Sequence, residues 1–192
     1  MSSDLPAAAA WRLVDAWEGF EVLLAHREPD GYRLEGHATG VEDGEAWGIR
    51  YDLRVDERWA TRTTLVRGVS TQGAFERWLE ADGAGRWLVD GAPAPELDGC
   101  LDVDLEASAC TNCLPVRRLA LTVGERADAP AAYVRAVDLR VERLEQSYAR
   151  LADAAGRQRY DYASPAFDYE AVLAYDEHGL VLDYPGLGER VF

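Results

Sequence analysis

The chain contains no lysine. All twenty of its basic residues are arginine, set against 35 acids for a formal charge of −15. A field of that sign repels nucleic acid and anionic membrane surfaces at long range, so neither is expected as a partner; a neutral or zwitterionic lipid is not excluded. Histidine is scarce, with three residues at 26, 37 and 178, and neither H-x-x-x-H nor G-x-S-x-G occurs. The usual signatures of zinc hydrolases and of serine hydrolases are therefore missing. Cysteine is equally sparse, with three residues. The N-terminal "MSSDLPAAAAWRL" lacks the basic start and long apolar run of a secretory signal. Together these lead to an expected cytoplasmic location with free thiols. No run approaches the ~20 apolar residues of a membrane helix, and no repeat or long biased linker divides the chain.

What is present suits one domain. The 192 residues are 48% apolar and include six Trp and nine Tyr. A chain of that size can bury roughly 70% of its unfolded surface without disulfides, metal or cofactor. We therefore expect a single domain over 1–192, flexible over 1–10, with no cofactor.

Period-2 patterning is the dominant local signal. In "EAWGIRYDLRVD", Trp47, Ile49, Tyr51, Leu53 and Val55 alternate with Arg50, Asp52, Arg54 and Asp56, as in a half-buried strand. "FDYEAVLAYD" repeats the pattern with Phe167, Tyr169, Ala171, Leu173 and Tyr175. Further strands are expected near 20–26, 31–39, 59–67, 75–81, 86–90, 100–105, 116–123, 133–139 and 180–184. Separated by Gly, Asp and Pro turns, they indicate a mainly antiparallel β fold. In "VERLEQSYARLADAAG", Val141, Leu144, Tyr148, Leu151 and Ala155 recur at helical spacing, and the pattern favours a helix over a hairpin turning near Ala154–Gly156.

The densest chemistry lies in "DGCLDVDLEASACTNCLPVRRL", residues 98–119. Read as extended, Asp102, Asp104 and Glu106 share one face, while Leu101, Val103 and Leu105 share the other. The simplest account is an acidic outer face in water. A second account uses Arg117 and Arg118, which follow Pro115 in what reads as a strand. One of them should point inward, and a buried guanidinium requires a carboxylate, so an Arg–Asp pair within about 4 Å is expected. Asp102 and Asp104, about 7 Å apart along a strand, also have the spacing of an inverting glycosidase pair. Hydrolysis by these two aspartates is the alternative to binding. They could bind Mg²⁺ or Ca²⁺, but no third ligand follows at a recognisable spacing, and no metal is expected. Cys110-Thr111-Asn112-Cys113 is formally C-x-x-C, yet neither the α/β context of a redox site nor a second zinc pair accompanies it. Asn112 reads as a turn builder.

These residues resemble the bacterial glycolipid-binding family. The resemblance rests on Gly99-Cys100, Asp102-Val103-Asp104-Leu105, Ser108, Thr111-Asn112, Leu114-Pro115 and Arg117-Arg118-Leu119. It extends to Tyr51, Trp59 and Arg62, to Trp87, to Tyr148 with Arg150, to "YDY" at 160–162 and to "DEHGLVLDYPGLGER" near the C-terminus. It covers about Trp11 to Arg190. Where the family tends to carry an aromatic and a threonine, this chain has Cys110 and Cys113. The resemblance implies a spiral β-roll, a curved antiparallel sheet around an apolar interior, similar to the open barrels of lipoprotein carriers. It also shifts the 141–155 expectation towards the hairpin. The implied function is binding of a lipid-like or glycolipid-like amphiphile without catalysis, in a concave pocket not filled by a helix and walled by side chains such as Leu53 and Phe167; the alternative is that these side chains fill a solid core. The implied contacts are Trp47, Tyr51, Trp59, Arg62, Asp102, Asp104, Asn112, Arg117 and Arg118.

Overall fold

The structure is a computed structural model that describes residues 4–14, 18–42 and 44–192. One curved, open antiparallel sheet of fourteen strands dominates it. Its N-terminal meander comprises β1 (Ala8–Leu13), β2 (Gly19–Glu28), β3 (Gly31–Glu42), β4 (Glu45–Asp56), β5 (Thr61–Ser70), β6 (Gly73–Ala81), β7 (Trp87–Val89) and β8 (Ala92–Pro93). A middle segment holds β9 (Asp102–Leu105), a 3-10 turn at Cys110–Asn112, α1 (Cys113–Leu119), β10 (Arg126–Asp128), β11 (Ala131–Val134) and β12 (Val141–Leu144). The C-terminal meander contains β13 (Ser147–Ala154), β14 (Arg157–Ser164), β15 (Tyr169–Tyr175), β16 (Val181–Tyr184) and β17 (Gly188–Arg190).

The sheet runs β10-β13-β14-β15-β16-β17-β1-β2-β3-β4-β5-β6-β7-β8. The first strand thus joins the two meanders, pairing with β2 on one side and β17 on the other. The stretch 1–10, expected to be flexible, overlaps this strand. Ala8–Ala10 lie in a strand, Ala9 and Trp11 are fully buried, and Asp4 hydrogen-bonds the Tyr32 hydroxyl. Residues 1–3 lie outside the described residues.

The alternation in β4 holds. Trp47, Ile49, Tyr51, Leu53 and Val55 are buried, and the polar residues between them reach the surface. Two glycines of β3 make room for this inner row. A Cβ on Gly36 would lie 2.1 Å from the Tyr51 ring, and one on Gly40 2.4 Å from the Trp47 ring. The 141–155 segment is extended, with β13 turning through Ala155 and Gly156 into β14. The expected strand at 59–67 starts later and runs further, to Ser70, with Trp59 in the turn before β5, and that at 133–139 is shorter, with β11 ending at Val134.

The 116–123 strand is corrected to a helix. Pro115 is the third residue of α1, in the first turn, where its missing N–H would have no intrahelical partner. Its extending influence on Leu114 is overridden by burial of Cys113, Leu114 and Val116. The helix closes at Ala120, whose φ of 46° is left-handed and whose N–H donates to the Val116 carbonyl at 3.1 Å. The crossover carrying α1 lets β9 and β11 pair in parallel. With β12 they form a second, three-stranded sheet.

This middle segment corrects the expectation of an unfilled interior. Ala107, Ala109, Cys110, Leu114 and Val116 are fully buried and join Leu23, Tyr51, Tyr148 and Tyr175 in one core. The acidic stripe is not an outer face either: all four residues of β9 are buried.

Candidate functional site

The residues of the central motif are held by polar contacts inside the core. Asp102, fully buried, accepts two hydrogen bonds from Arg118, Nε to Oδ1 at 2.9 Å and Nη2 to Oδ2 at 2.6 Å. This is the expected Arg–Asp pair, bidentate and fixed in geometry. Burial raises the Asp102 carboxyl above its ordinary range, and Arg118 opposes that shift. The Arg117 guanidinium stacks 4.0 Å from the Trp59 ring centre, and Trp59 in turn stacks on Tyr32 at 4.8 Å. Trp59 has a φ of 68°, a conformation a bulky side chain rarely adopts. The ring contacts on both sides hold it there.

A second anchor was invisible in the sequence. Glu21 on β2 is fully buried. It accepts hydrogen bonds from the Tyr51 hydroxyl (2.9 Å), Ser108 Oγ (2.5 Å) and the Ala109 N–H (2.7 Å). Burial pushes its carboxyl up to about 7 against the lowering effect of those donors. The contact ties the turn before α1 to the sheet across 87 residues of sequence.

Beside Asp104 a pocket of about 290 Å³ opens between the second sheet and the C-terminal meander. Tyr133, Leu144, Tyr162, Phe167, Tyr169, Tyr184 and Leu187 form its walls, and Asp104, Ser108 and Asn112 are its polar floor. The rings form one packed group, with Tyr162 and Tyr184 centres 5.8 Å apart, Tyr169 and Tyr184 5.8 Å, and Tyr133 and Phe167 5.6 Å. The Asn112 amide donates to the Ser108 carbonyl at 3.3 Å and its Oδ1 accepts from the Tyr148 hydroxyl at 3.0 Å. Asn112 thus fixes local backbone, as a turn builder does, and also faces the pocket. Asp104 accepts from Thr111 Oγ1 at 2.9 Å. Burial pushes its carboxyl up to about 7, and the neighbouring charges of Asp102 and Glu106 add to the shift. At the rim, Glu106 accepts from Arg135 Nη1 at 2.7 Å, and that guanidinium lies 5.1 Å from the Tyr133 ring and 5.5 Å from Phe167.

The nine residues singled out from sequence therefore separate. Asp104 and Asn112 line the tyrosine pocket. Trp59, Arg62, Arg117 and Arg118 line a broader polar groove with Asp56, Glu57 and Arg58. Asp102 lies between the two, buried against Arg118. Trp47 and Tyr51, with Leu53, belong to the packed core beneath β3 and β4. Of the expected aromatic walls only Phe167 reaches the pocket. Sequence reasoning missed Tyr133, Tyr169 and Tyr184. The available signal was the tyrosine density of the C-terminal third, whose strands alternate Tyr160, Tyr162, Tyr169 and Tyr175 onto the inner side.

Cys110 of the C-x-x-C pair is not a reactive thiolate. All three cysteines are free and buried. A hydrogen bond to Cys113, together with burial, raises the Cys110 thiol well above its ordinary value, the opposite of what redox chemistry needs. Burial also pushes Cys100 up to about 11. Among the described residues, no group of three or more His, Cys, Asp or Glu is arranged to hold a metal ion, and no helix is long and apolar enough to cross a membrane.

A family model described as "Putative glycolipid-binding" matches residues 8–190. Among solved structures, a DUF1089 family protein from Pseudomonas aeruginosa is similar at 36% identity and a TM-score of 0.74, over 89% of this chain and 92% of that one. No curated protein matches.

Proposed function

The chain belongs to the glycolipid-binding family, and from that premise we propose that the tyrosine pocket holds the head of a lipid-like or glycolipid-like amphiphile, without catalysis. The observation that carries this reading is the contrast within the pocket, where five aromatic rings share the lining with Asp104 and Asn112. Apolar walls with a few placed polar groups are the usual build of a small-molecule site. Tyrosine rings suit a sugar, offering a flat face to its C–H side and a hydroxyl to its edge. The volume of about 290 Å³ is at the lower end of ligand sites. It suits one ring-sized head or a short piece of chain, leaving the remainder of an amphiphile along the exposed rim at Phe167, which is 44% exposed. The polar groove has less support, because Arg62 and Arg118 there already face the acids Asp56 and Asp102. Hydrolysis by the Asp102 and Asp104 pair also has less support: Asp102 has both oxygens on Arg118 and does not line the pocket.

The reading is tested by calorimetric titration of the detergent-free protein with short-chain alkyl glycosides. One-to-one binding is expected, weakened about tenfold by Tyr184→Ala, the loss of one aromatic wall. Absence of binding, or binding indifferent to Tyr184→Ala and Tyr162→Ala alike, overturns it.

A further inference from the structure

We infer that the head group taken by this pocket is cationic, a protonated amine or a quaternary ammonium such as an amino sugar or a choline-like head. The inference rests on the reading that the tyrosine pocket is the binding site, and adds the chemistry of what fills it.

Strand β9 and the residue following it place three carboxylates in a row. Asp102 has Arg118 at 2.6 Å and Glu106 has Arg135 at 2.7 Å. Asp104, between them, has the hydroxyl of Thr111 and, among the described residues, no ion pair, and the charges acting on it are the acids Asp102 and Glu106. Asp104 and Glu106 both line the pocket, and of these two Glu106 is neutralised by Arg135, which lines it too, whereas Asp104 is not. A carboxylate in a low-dielectric site is costly without a counter-charge, so an arriving cation would supply what the fold gives to its two neighbours. The walls favour the same sign. Aromatic faces carry negative potential and attract ammonium groups, and at the rim Tyr133 and Phe167 already sit against the Arg135 guanidinium. The net charge of −15 draws cations towards the molecule from a distance.

Proton linkage gives the idea a sign. The groups whose charges act with Asp104 are Asp102 and Glu106 from β9 and its end, Tyr133 from β11, Tyr148 from β13, Tyr162 from β14, Tyr175 from β15 and Tyr184 from β16, and the Arg135 guanidinium, held by Glu106, lines the same pocket. Burial raises all five phenols, so they stay neutral below pH 8. Asp104, at about 7, changes charge between pH 6 and pH 8. A cationic head should bind more tightly as it ionises. A neutral sugar accepting a hydrogen bond from the protonated acid should bind more weakly over the same interval.

The experiment is calorimetric titration of the full chain with decyltrimethylammonium, decyl glucoside and decyl sulfate below their micelle concentrations, at pH 6 and pH 8. The expected result is one-to-one binding of the ammonium at pH 8, about tenfold tighter than the glucoside. Its affinity should fall roughly tenfold on going to pH 6, following Asp104 ionisation. Asp104→Asn should abolish both the preference and the pH effect, while Asp161→Asn, the same charge change at an exposed site, should leave both intact. Equal affinity for the three probes, a preference that survives Asp104→Asn, or ammonium binding that is flat or stronger at pH 6, overturns the inference. Should Asp104→Asn fail to fold, the preference of the unaltered protein for the ammonium over the glucoside at pH 8 decides it, since Glu21 also titrates near 7 and bonds Ser108 of the pocket. Binding of the glucoside without the ammonium sinks the cationic head but leaves the amphiphile reading standing; no binding of any probe sinks both.

Discussion

Two buried carboxyls set the behaviour of the molecule towards protons. Glu21 and Asp104 are each held near 7 by burial, against ordinary values of 4.5 and 3.8. The folded state therefore binds protons more tightly than the unfolded chain between those limits. The stability from each group is fully present below its unfolded value and is lost as pH rises through about 7. Thermal melts should accordingly show a higher Tm at pH 5 than at pH 8, and Asp104→Asn should shrink the difference; a Tm that rises from pH 5 to pH 8 contradicts the assignment. Close approach is the other control at this scale. Gly36 faces the Tyr51 ring so nearly that an added methyl would lie 2.1 Å from it. Gly36→Ala should cost about 1–3 kcal/mol by overpacking, read as a lower urea midpoint, whereas Gly156→Ala, with open space around its Cβ but a φ of 72°, should act only through backbone strain.

At the scale of the element, β9 and α1 are held together by the Asp102–Arg118 pair, with side chains 1% and 14% exposed. Arg118→Ala should destabilise by about 3–5 kcal/mol, since it strands a buried charge. Adding Asp102→Leu to Arg118→Met should recover most of the loss, and denaturant unfolding of the four members of that cycle measures the coupling. Glu21 performs the corresponding task for the turn before α1. This element was the least legible in the sequence. The presence of a pair was predictable from the cost of burying an arginine, but Pro115 pointed to an extended chain, and only burial of Cys113, Leu114 and Val116 explains the helix. The 141–155 segment was misread by pattern because Val141, Leu144, Tyr148 and Leu151 happen to fall at helical spacing, whereas in β13 the inner residues are Tyr148 and Arg150, two apart.

At the scale of the whole molecule, the junction of β17, β1 and β2 makes one sheet of two meanders. Trp11 sits at that junction, fully buried, its indole N–H donating to the Val181 carbonyl at 2.7 Å. A chain beginning at Glu18 would expose the edges of β2 and β17 and lose that core side chain. It should elute as aggregate or unfold without a cooperative transition, and a monomeric, cooperatively melting truncation would show that β1 is dispensable. The interior is filled by the chain's own middle segment.

What the sequence determined by itself was the local alternation that makes strands such as β4, the strong negative charge and the scarcity of histidine and thiols. Each of these is a property of neighbours a few residues apart or of composition alone. What only the tertiary structure decided was which acid meets which arginine, where the tyrosines converge and that β9 lies inside. Those outcomes depend on residues far apart in the chain, such as Trp11 and Val181, being brought together by strand order and register. A period-2 pattern says which side chains share a face, but the partner across that face is chosen by packing.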